Sequence, residues 1–238
     1  MAITPLQLVL SILPGLLICL YIYTRDEHDR EPHSHLIISF ILGCVVVVPA
    51  IQLEVVGQAA GYGISADPVN TAIFSWVVVA GSEELVKLVP LMLFAYPRRA
   101  FDEPMDGIVY TVMIGMGFAT VENILYAYEY GIGTTIVRAF TAVPAHGVFA
   151  VVMGYFVGRA KFDAESRILL ILQGFLMAVL LHGAYDFFLF QENIPMLGFV
   201  SFIGLVISVV YARRLIRMHV SDSPHKMLHA AEEEYKWR

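Results

Sequence analysis

The stretch Gly81-Ser-Glu-Glu-Leu-Val-Lys-Leu88 sets two adjacent carboxylates, Glu83 and Glu84, and an amine, Lys87, inside a long apolar run. Lys87 follows Glu83 by four residues and Glu84 by three, one helical turn along the same face. Further on, Glu122-Asn123, His146, and His182 with Asp186 one turn later are also set in apolar sequence. Two imidazoles and a carboxylate suffice for a catalytic zinc site, which needs three protein ligands and one open position for water. Another carboxylate can then take the proton of that water. On this chemistry His146, His182 and Glu122 are candidate ligands for zinc or another divalent metal. Glu83 is the candidate base, with Glu84 its neighbour. Lys87 neutralises whichever carboxylate is turned away from the reaction. Asp186 either orients His182 or becomes a fourth ligand, and the Asn123 amide is able to hold a substrate carbonyl.

Each group also has a purely structural reading. Glu83, Glu84 and Lys87 could form a buried ion-pair staple, His146 a satisfied core histidine, Glu122 a cap for a neighbouring helix, and His182 with Asp186 an interhelical pair. Glu54 and Arg138 lie near span ends and read as anchors at the headgroups. The remaining histidines (His28, His33, His35, His219, His225, His229) fall in loops or the tail and read as solvated surface. It is the joint pattern that points to a site.

The elements that must position these residues follow from composition. The chain has 238 residues, 58% of them hydrophobic and 15% charged, and its mean hydropathy is +0.70. Soluble domains carry roughly 25% charged residues. Apolar runs of about 20 residues recur, long enough to cross a bilayer as helices. The expectation is an all-α, polytopic membrane protein of about seven spans: 5–23, 35–57, 70–96, 106–129, 135–158, 168–190 and 195–216. Residues 1–216 form one helical domain, and 217–238 a polar cytoplasmic tail. Cys19 and Cys44 lie in apolar runs and read as packing residues, not as a disulfide framework. The net charge of -6 and the confinement of basic residues to short loops give no sign of nucleic-acid binding.

Orientation follows from Lys and Arg in the loops. Loops 24–34, 97–105 and 159–167 and the tail carry them, whereas 58–69, 130–134 and 191–194 carry none. The N-terminus is therefore expected outside and the C-terminus in the cytoplasm. The first span lacks the flanks of a cleaved signal peptide and reads as a retained helix. Glu83 lies 13 residues from the outer start of its span, Glu122 7 before the outer end of its own, His146 11 from an outer start and His182 8 before an outer end. At about 1.5 Å per residue these sit roughly 10–20 Å below the outer surface. Four helices thus present polar groups at one depth, as a shared site requires. An ionisable residue inside a span is a functional hypothesis by default.

Taken together, "EELVK" (83–87), "GFATVEN" (117–123), "HGVFAVVMG" (146–154) and "HGAYD" (182–186) resemble the PrsW family of intramembrane metalloproteases. That family belongs with the CAAX-protease and bacteriocin-processing superfamily. "DREP" (29–32) and "DEPMDGIVY" (102–110) also match, so the resemblance covers roughly 29–190. It implies a multi-pass protease of the bacterial plasma membrane. It also implies a single-pass membrane protein as substrate, such as an anti-sigma factor cut first on its extracytoplasmic side. The superfamily's paired glutamates fall on Glu83 and Glu84 and its last histidine motif on His182. Glu122 stands where many superfamily relatives have histidine, so its place as a ligand stays open. Two rival readings use the same residues: a proton-coupled secondary transporter and a non-catalytic membrane sensor or scaffold. No matching halves, as inverted-repeat transporters show, are visible in the sequence.

Overall fold

The computed structural model describes residues 3–27, 29–191, 194–221 and 223–224, and these form helices and short connections without a strand. Helix α1 (Pro5–Arg25) opens on a capping box in which Thr4 and Gln7 satisfy each other's backbone amides. Helices α2 (His33–Val45) and α3 (Val47–Ala59) are one apolar run kinked at Val46. Pro49 accounts for the kink: it has no N–H for the Val45 carbonyl, and its ring crowds that carbonyl.

Asp67 caps α4 (Pro68–Ile73) by accepting from the Val69 amide at 3.0 Å. The helix then runs on through a π-helical stretch Phe74–Ala80, α5 (Gly81–Pro90) and a second π stretch Leu91–Ala95. Pro90 cannot donate a backbone hydrogen bond, and the wider π spacing begins at the next residue. Helix α6 (Pro104–Phe140) is broken at Gly131, whose φ of 81° suits glycine. Helix α7 (Ala142–Phe162) follows a non-helical Thr141, then come α8 (Arg167–Leu189), a 3-10 turn Pro195–Leu197 and α9 (Gly198–Ser221).

Among the described residues, five helical stretches are long and apolar enough to cross a bilayer: Pro5–Arg25, His33–Ala59, Pro104–Phe162, Arg167–Leu189 and Gly198–Ser221. The α6–α7 stretch is the core, with 67% of its most apolar window buried against 28% in each of the other four. Small residues let these two helices touch: a Cβ on Gly107 would lie 2.4 Å from the Gly154 carbonyl oxygen and 2.5 Å from the Gly158 backbone. Leu93, Ile168 and Phe199 are exposed around the outside, as side chains facing hydrocarbon are. Cys19 and Cys44 are free thiols packed among the helices.

Some expected boundaries move. The expected span 70–96 contains two π stretches, and 135–158 is divided at Thr141. The expected domain end at 216 falls inside α9, which continues to Ser221. His219, expected on solvated surface, is 1% exposed and stacks on Tyr155 at 4.3 Å, because α9 packs on α7. His28 and the tail from 225 on, with His225, Lys226, His229, Lys236 and Arg238, lie outside the described residues.

Candidate active site

Helix α5 carries Glu83, Glu84 and Lys87, all buried. Their spacing of three and four residues brings the ammonium to both carboxylates. Lys87 Nζ donates to Glu83 Oε2 at 3.0 Å and to Glu84 Oε1 at 2.9 Å. It also lies 3.2 Å from His146 Nδ1 on α7 and 4.1 Å from the centroid of the Phe118 ring. π-helical stretches flank α5 on both sides, and π geometry in a helix is frequent at functional sites.

His146 has a defined tautomer. An ammonium can only donate, so Nδ1 is the acceptor toward Lys87. Nε2 then carries the proton and donates to Glu122 Oε2 at 2.8 Å. Glu122 in turn forms an ion pair with Arg138 Nη2 at 2.8 Å. The break at Gly131 makes that contact possible. Arg138 and Asn123 are 15 residues apart, and on an unbroken helix they would be about 22 Å from each other. The chain instead turns back at Gly131, and Arg138 Nε donates to Asn123 Oδ1 at 3.2 Å.

His182 on α8 stacks on Phe149 at 4.7 Å and meets His146 edge-on at 5.2 Å. Its Nδ1 donates to Glu84 Oε1 at 2.9 Å. Its Nε2 lies 3.3 Å from Asp186 Oδ2, which makes no hydrogen bond. Gly183 allows this close approach of α8: a Cβ there would fall 2.3 Å from the Trp76 ring. Trp76 Nε1 donates to the Leu180 carbonyl at 3.2 Å, pinning α8 to the first π stretch.

Glu83, Glu122, His146, His182 and Asp186 border a cavity of about 1000 Å³, whereas Glu84 lies behind its wall. The cavity extends past Gln58, Ile64, Glu129 and Phe199, toward the end of the bundle whose loops carry no Lys or Arg. Donor atoms of Glu83, Glu84, His146 and His182 all lie within 4.8 Å of one another. This donor set fits a divalent cation. Two neutral imidazoles would leave four carboxylates (Glu83, Glu84, Glu122, Asp186) facing two cations (Lys87, Arg138). The deficit is two positive charges, and Asp186 Oδ2 remains without a donor.

The structure thus gathers every residue singled out from the sequence, with two changes. Asn123 does not face the cavity: it is fully buried, with its amide engaged by the Leu10 carbonyl and Arg138. Glu54 and Arg138, expected as headgroup anchors, both border the cavity. The signal for Arg138 was present, since an arginine inside a span needs a buried partner.

The chain was compared with known proteins. The family model of the PrsW proteases, described as intramembrane metalloproteases, matches residues 31–212. Protease PrsW of Geobacillus kaustophilus (strain HTA426) is 39% identical over 183 residues, 77% of this chain and 79% of that protein. Protease PrsW of Bacillus subtilis (strain 168) is 34% identical over 202 residues, 82% of this chain and 90% of that protein. Protease PrsW of Clostridioides difficile (strain 630) is 33% identical over 190 residues, 77% of this chain and 79% of that protein. No solved structure matches the chain. The matched residues hold the whole polar cluster and all of the apolar bundle except α1 and the end of α9, and the chain belongs to the PrsW protease family, as a multi-pass helical protein of the bacterial membrane.

Proposed function

We propose that the chain is an intramembrane zinc-dependent endopeptidase. It makes the first cut in a single-pass membrane protein, such as an anti-sigma factor, near the extracytoplasmic membrane boundary. The observation that carries this reading is the convergence of Glu83, Glu84, His146 and His182, from three helices, beside a cavity of about 1000 Å³.

His146 and His182 would hold the metal together with Glu84, which lies between Lys87 and His182. The expectation that Glu122 is a ligand gives way to another role. Glu122 engages the nitrogen of His146 that points away from Lys87, so it orients that ring, and Asp186, 3.3 Å from His182 Nε2, would do the same for His182 once its Nδ1 gives up its proton to bind the metal. When bound, the zinc ion supplies a water acidified to a pKa of about 7 and a polarised carbonyl. Glu83, on the cavity wall, takes the proton as the water oxygen bonds to the scissile carbonyl carbon. It returns that proton to the amide nitrogen as the C–N bond breaks. Lys87 donates to both carboxylates and is their common counter-charge.

The seven-span topology with the N-terminus outside completes the reading, since it turns the cavity mouth outward. It rests on the alternation of Lys and Arg in the loops. An impermeant thiol reagent should leave a cysteine placed at Ala100 unlabelled in intact cells, after Cys19 and Cys44 are replaced. Strong labelling there would reverse the orientation.

A peptide bond inside a substrate helix has its amides paired and no water around it. The cut is therefore expected in an extended segment at the outer boundary. Mass spectrometry of products from a reconstituted single-pass substrate tests this, and a cut at the cytoplasmic end contradicts it.

A further inference from the structure

We propose that a second cation site, built from oxygen donors alone, lies at the far end of the bundle, where Asp26, Glu31, Glu103 and Asp106 meet, and that it takes a hard divalent cation of the Mg²⁺ or Ca²⁺ class. The proposal is independent of the proteolytic reading. Asp106 lies in the first turn of α6 and Glu122 is 16 residues further on. The two clusters are therefore roughly 24 Å apart along that helix.

The four carboxylates come from two segments that are distant in sequence. Asp26 follows the end of α1 and Glu31 lies in the loop after it, whereas Glu103 caps α6 and Asp106 is in its first turn. All four are 3% exposed or less. Donor atoms of Asp26, Glu103 and Asp106 lie within 4.8 Å of one another. Glu31 is outside that trio and reaches it from the loop, with its side chain against Asp106.

One oxygen of each is spent on the protein. Asp106 Oδ2 accepts from the amides of Asp102 and Glu103, both at 2.8 Å. Asp26 Oδ2 accepts from the Glu31 amide at 3.4 Å. Tyr110 donates to Glu31 Oε2 and Ser223 to Glu103 Oε2. Of the four oxygens that remain, three, Asp26 Oδ1, Glu31 Oε1 and Asp106 Oδ1, are buried without a hydrogen bond. Among the described residues no lysine or arginine forms an ion pair with any of the four.

Buried carboxylates in contact must be neutralised by protons or by a cation. Protons alone would have to be shared pairwise, Asp26 with Glu103 and Glu31 with Asp106. One cation can take all three unbonded oxygens and fill its remaining positions with water. A set with no nitrogen or sulfur donor selects Mg²⁺ or Ca²⁺ over zinc, iron or copper. Bound there, the cation ties the α1–α2 loop to the start of α6. It also supports the contact of Ser223 beyond α9, so its effect is on the stability of that end of the bundle.

The test uses the full chain in detergent, stripped with EDTA, in a His146→Ala/His182→Ala background that removes metal uptake at the active site. Titration with MgCl₂ and CaCl₂, followed by calorimetry and by thermal unfolding, should show one cation bound per chain and a rise in unfolding temperature. Asp26→Asn/Asp106→Asn should weaken that binding about tenfold or more, because affinity follows the number of charged ligands. It should also abolish the cation-dependent rise. Asparagine keeps the shape and removes like charge, so this variant should unfold in EDTA no earlier than its parent. If it nevertheless fails to fold, Glu31→Gln gives the same reading through weakened binding. Absence of uptake of either cation, or uptake that all these substitutions leave unchanged, would overturn the proposal and leave shared protons as the neutralising agents.

Discussion

Lys87→Met is the sharpest probe of the charge arrangement. The substitution keeps the length and the apolar stem of the side chain and removes its ammonium. Glu83 Oε2, Glu84 Oε1 and His146 Nδ1 lose a group now at 3.0, 2.9 and 3.2 Å. The Glu83 and Glu84 side chains are 5% and 2% exposed, so little water can take its place. Removing one partner of a buried ion pair costs about 3–5 kcal/mol. A chain of this size shifts about 2–4 °C per kcal/mol, so the unfolding temperature should fall by about 6–20 °C. Thermal unfolding of the purified protein in detergent, followed by tryptophan fluorescence, reads this out. Two further arms identify the cause. Glu84→Gln added to Lys87→Met removes the stranded charge and should recover part of the loss. Zinc added to the single variant should also recover part, because a cation among Glu83, Glu84, His146 and His182 does the work of the ammonium. A fall below about 3 °C, or one that neither arm relieves, would refute the argument that Lys87 is the counter-charge of this site.

Arg138→Met should lower turnover by about 10–100-fold, as loss of an outer partner of a metal-binding histidine does, and Glu122→Gln in the same chain should add little further. Turnover of Arg138→Met, of Glu122→Gln and of the double variant on one reconstituted substrate checks this. At Gly183 a leucine has no room against Trp76, and overpacking of about 1–3 kcal/mol or more should appear as a lower unfolding temperature together with lost activity. In EDTA, stability should fall as pH rises. Burial, and then the neighbouring Glu103, push the Asp26 carboxyl up from 3.8 to about 8, and burial pushes Glu31 from 4.5 to about 7 despite the hydrogen bond from Tyr110. Folded-state values above the unfolded ones mean that the folded chain binds protons more tightly. The stabilisation is complete below about pH 4 and is lost as pH climbs through about 8. Unfolding temperatures measured from pH 5 to 9 should decline and then level off, and a rise across that range would reverse the sign.

What the sequence discloses here depends on the physics of each feature. Hydropathy exposes the helical bundle because lipid-facing residues must be apolar along their whole length. The ionisable residues stand out against that background, so Glu83, Glu84, His146 and His182 could be grouped by depth before any contact was known. Contacts made possible by backbone breaks are not legible in the same way. Gly131 reads as one glycine among many, yet its turn is what returns Arg138 to Glu122 and Asn123. From the sequence alone Arg138 therefore reads as a headgroup anchor. The π stretches beside α5 leave no periodicity signal of their own. His219 looked like tail surface because its partner, Tyr155, is remote in sequence. The Asp26–Asp106 cluster was hidden for a related reason: acidic residues in loops ordinarily face water, and only the fold shows that these four do not.

The central claim is that Glu83 serves as base while His146, His182 and Glu84 hold a metal. It is tested most directly by measuring metal content and substrate cleavage on the same purified samples of Glu83→Gln and His182→Ala. Glu83→Gln should keep its metal, fold and substrate binding and lose about 10²–10⁴-fold in turnover, the usual contribution of a general base. His182→Ala should lose the metal and the activity together. If Glu83→Gln loses its metal while His182→Ala retains it, the roles are reversed and the site must be redrawn around the Glu83–Glu84 pair.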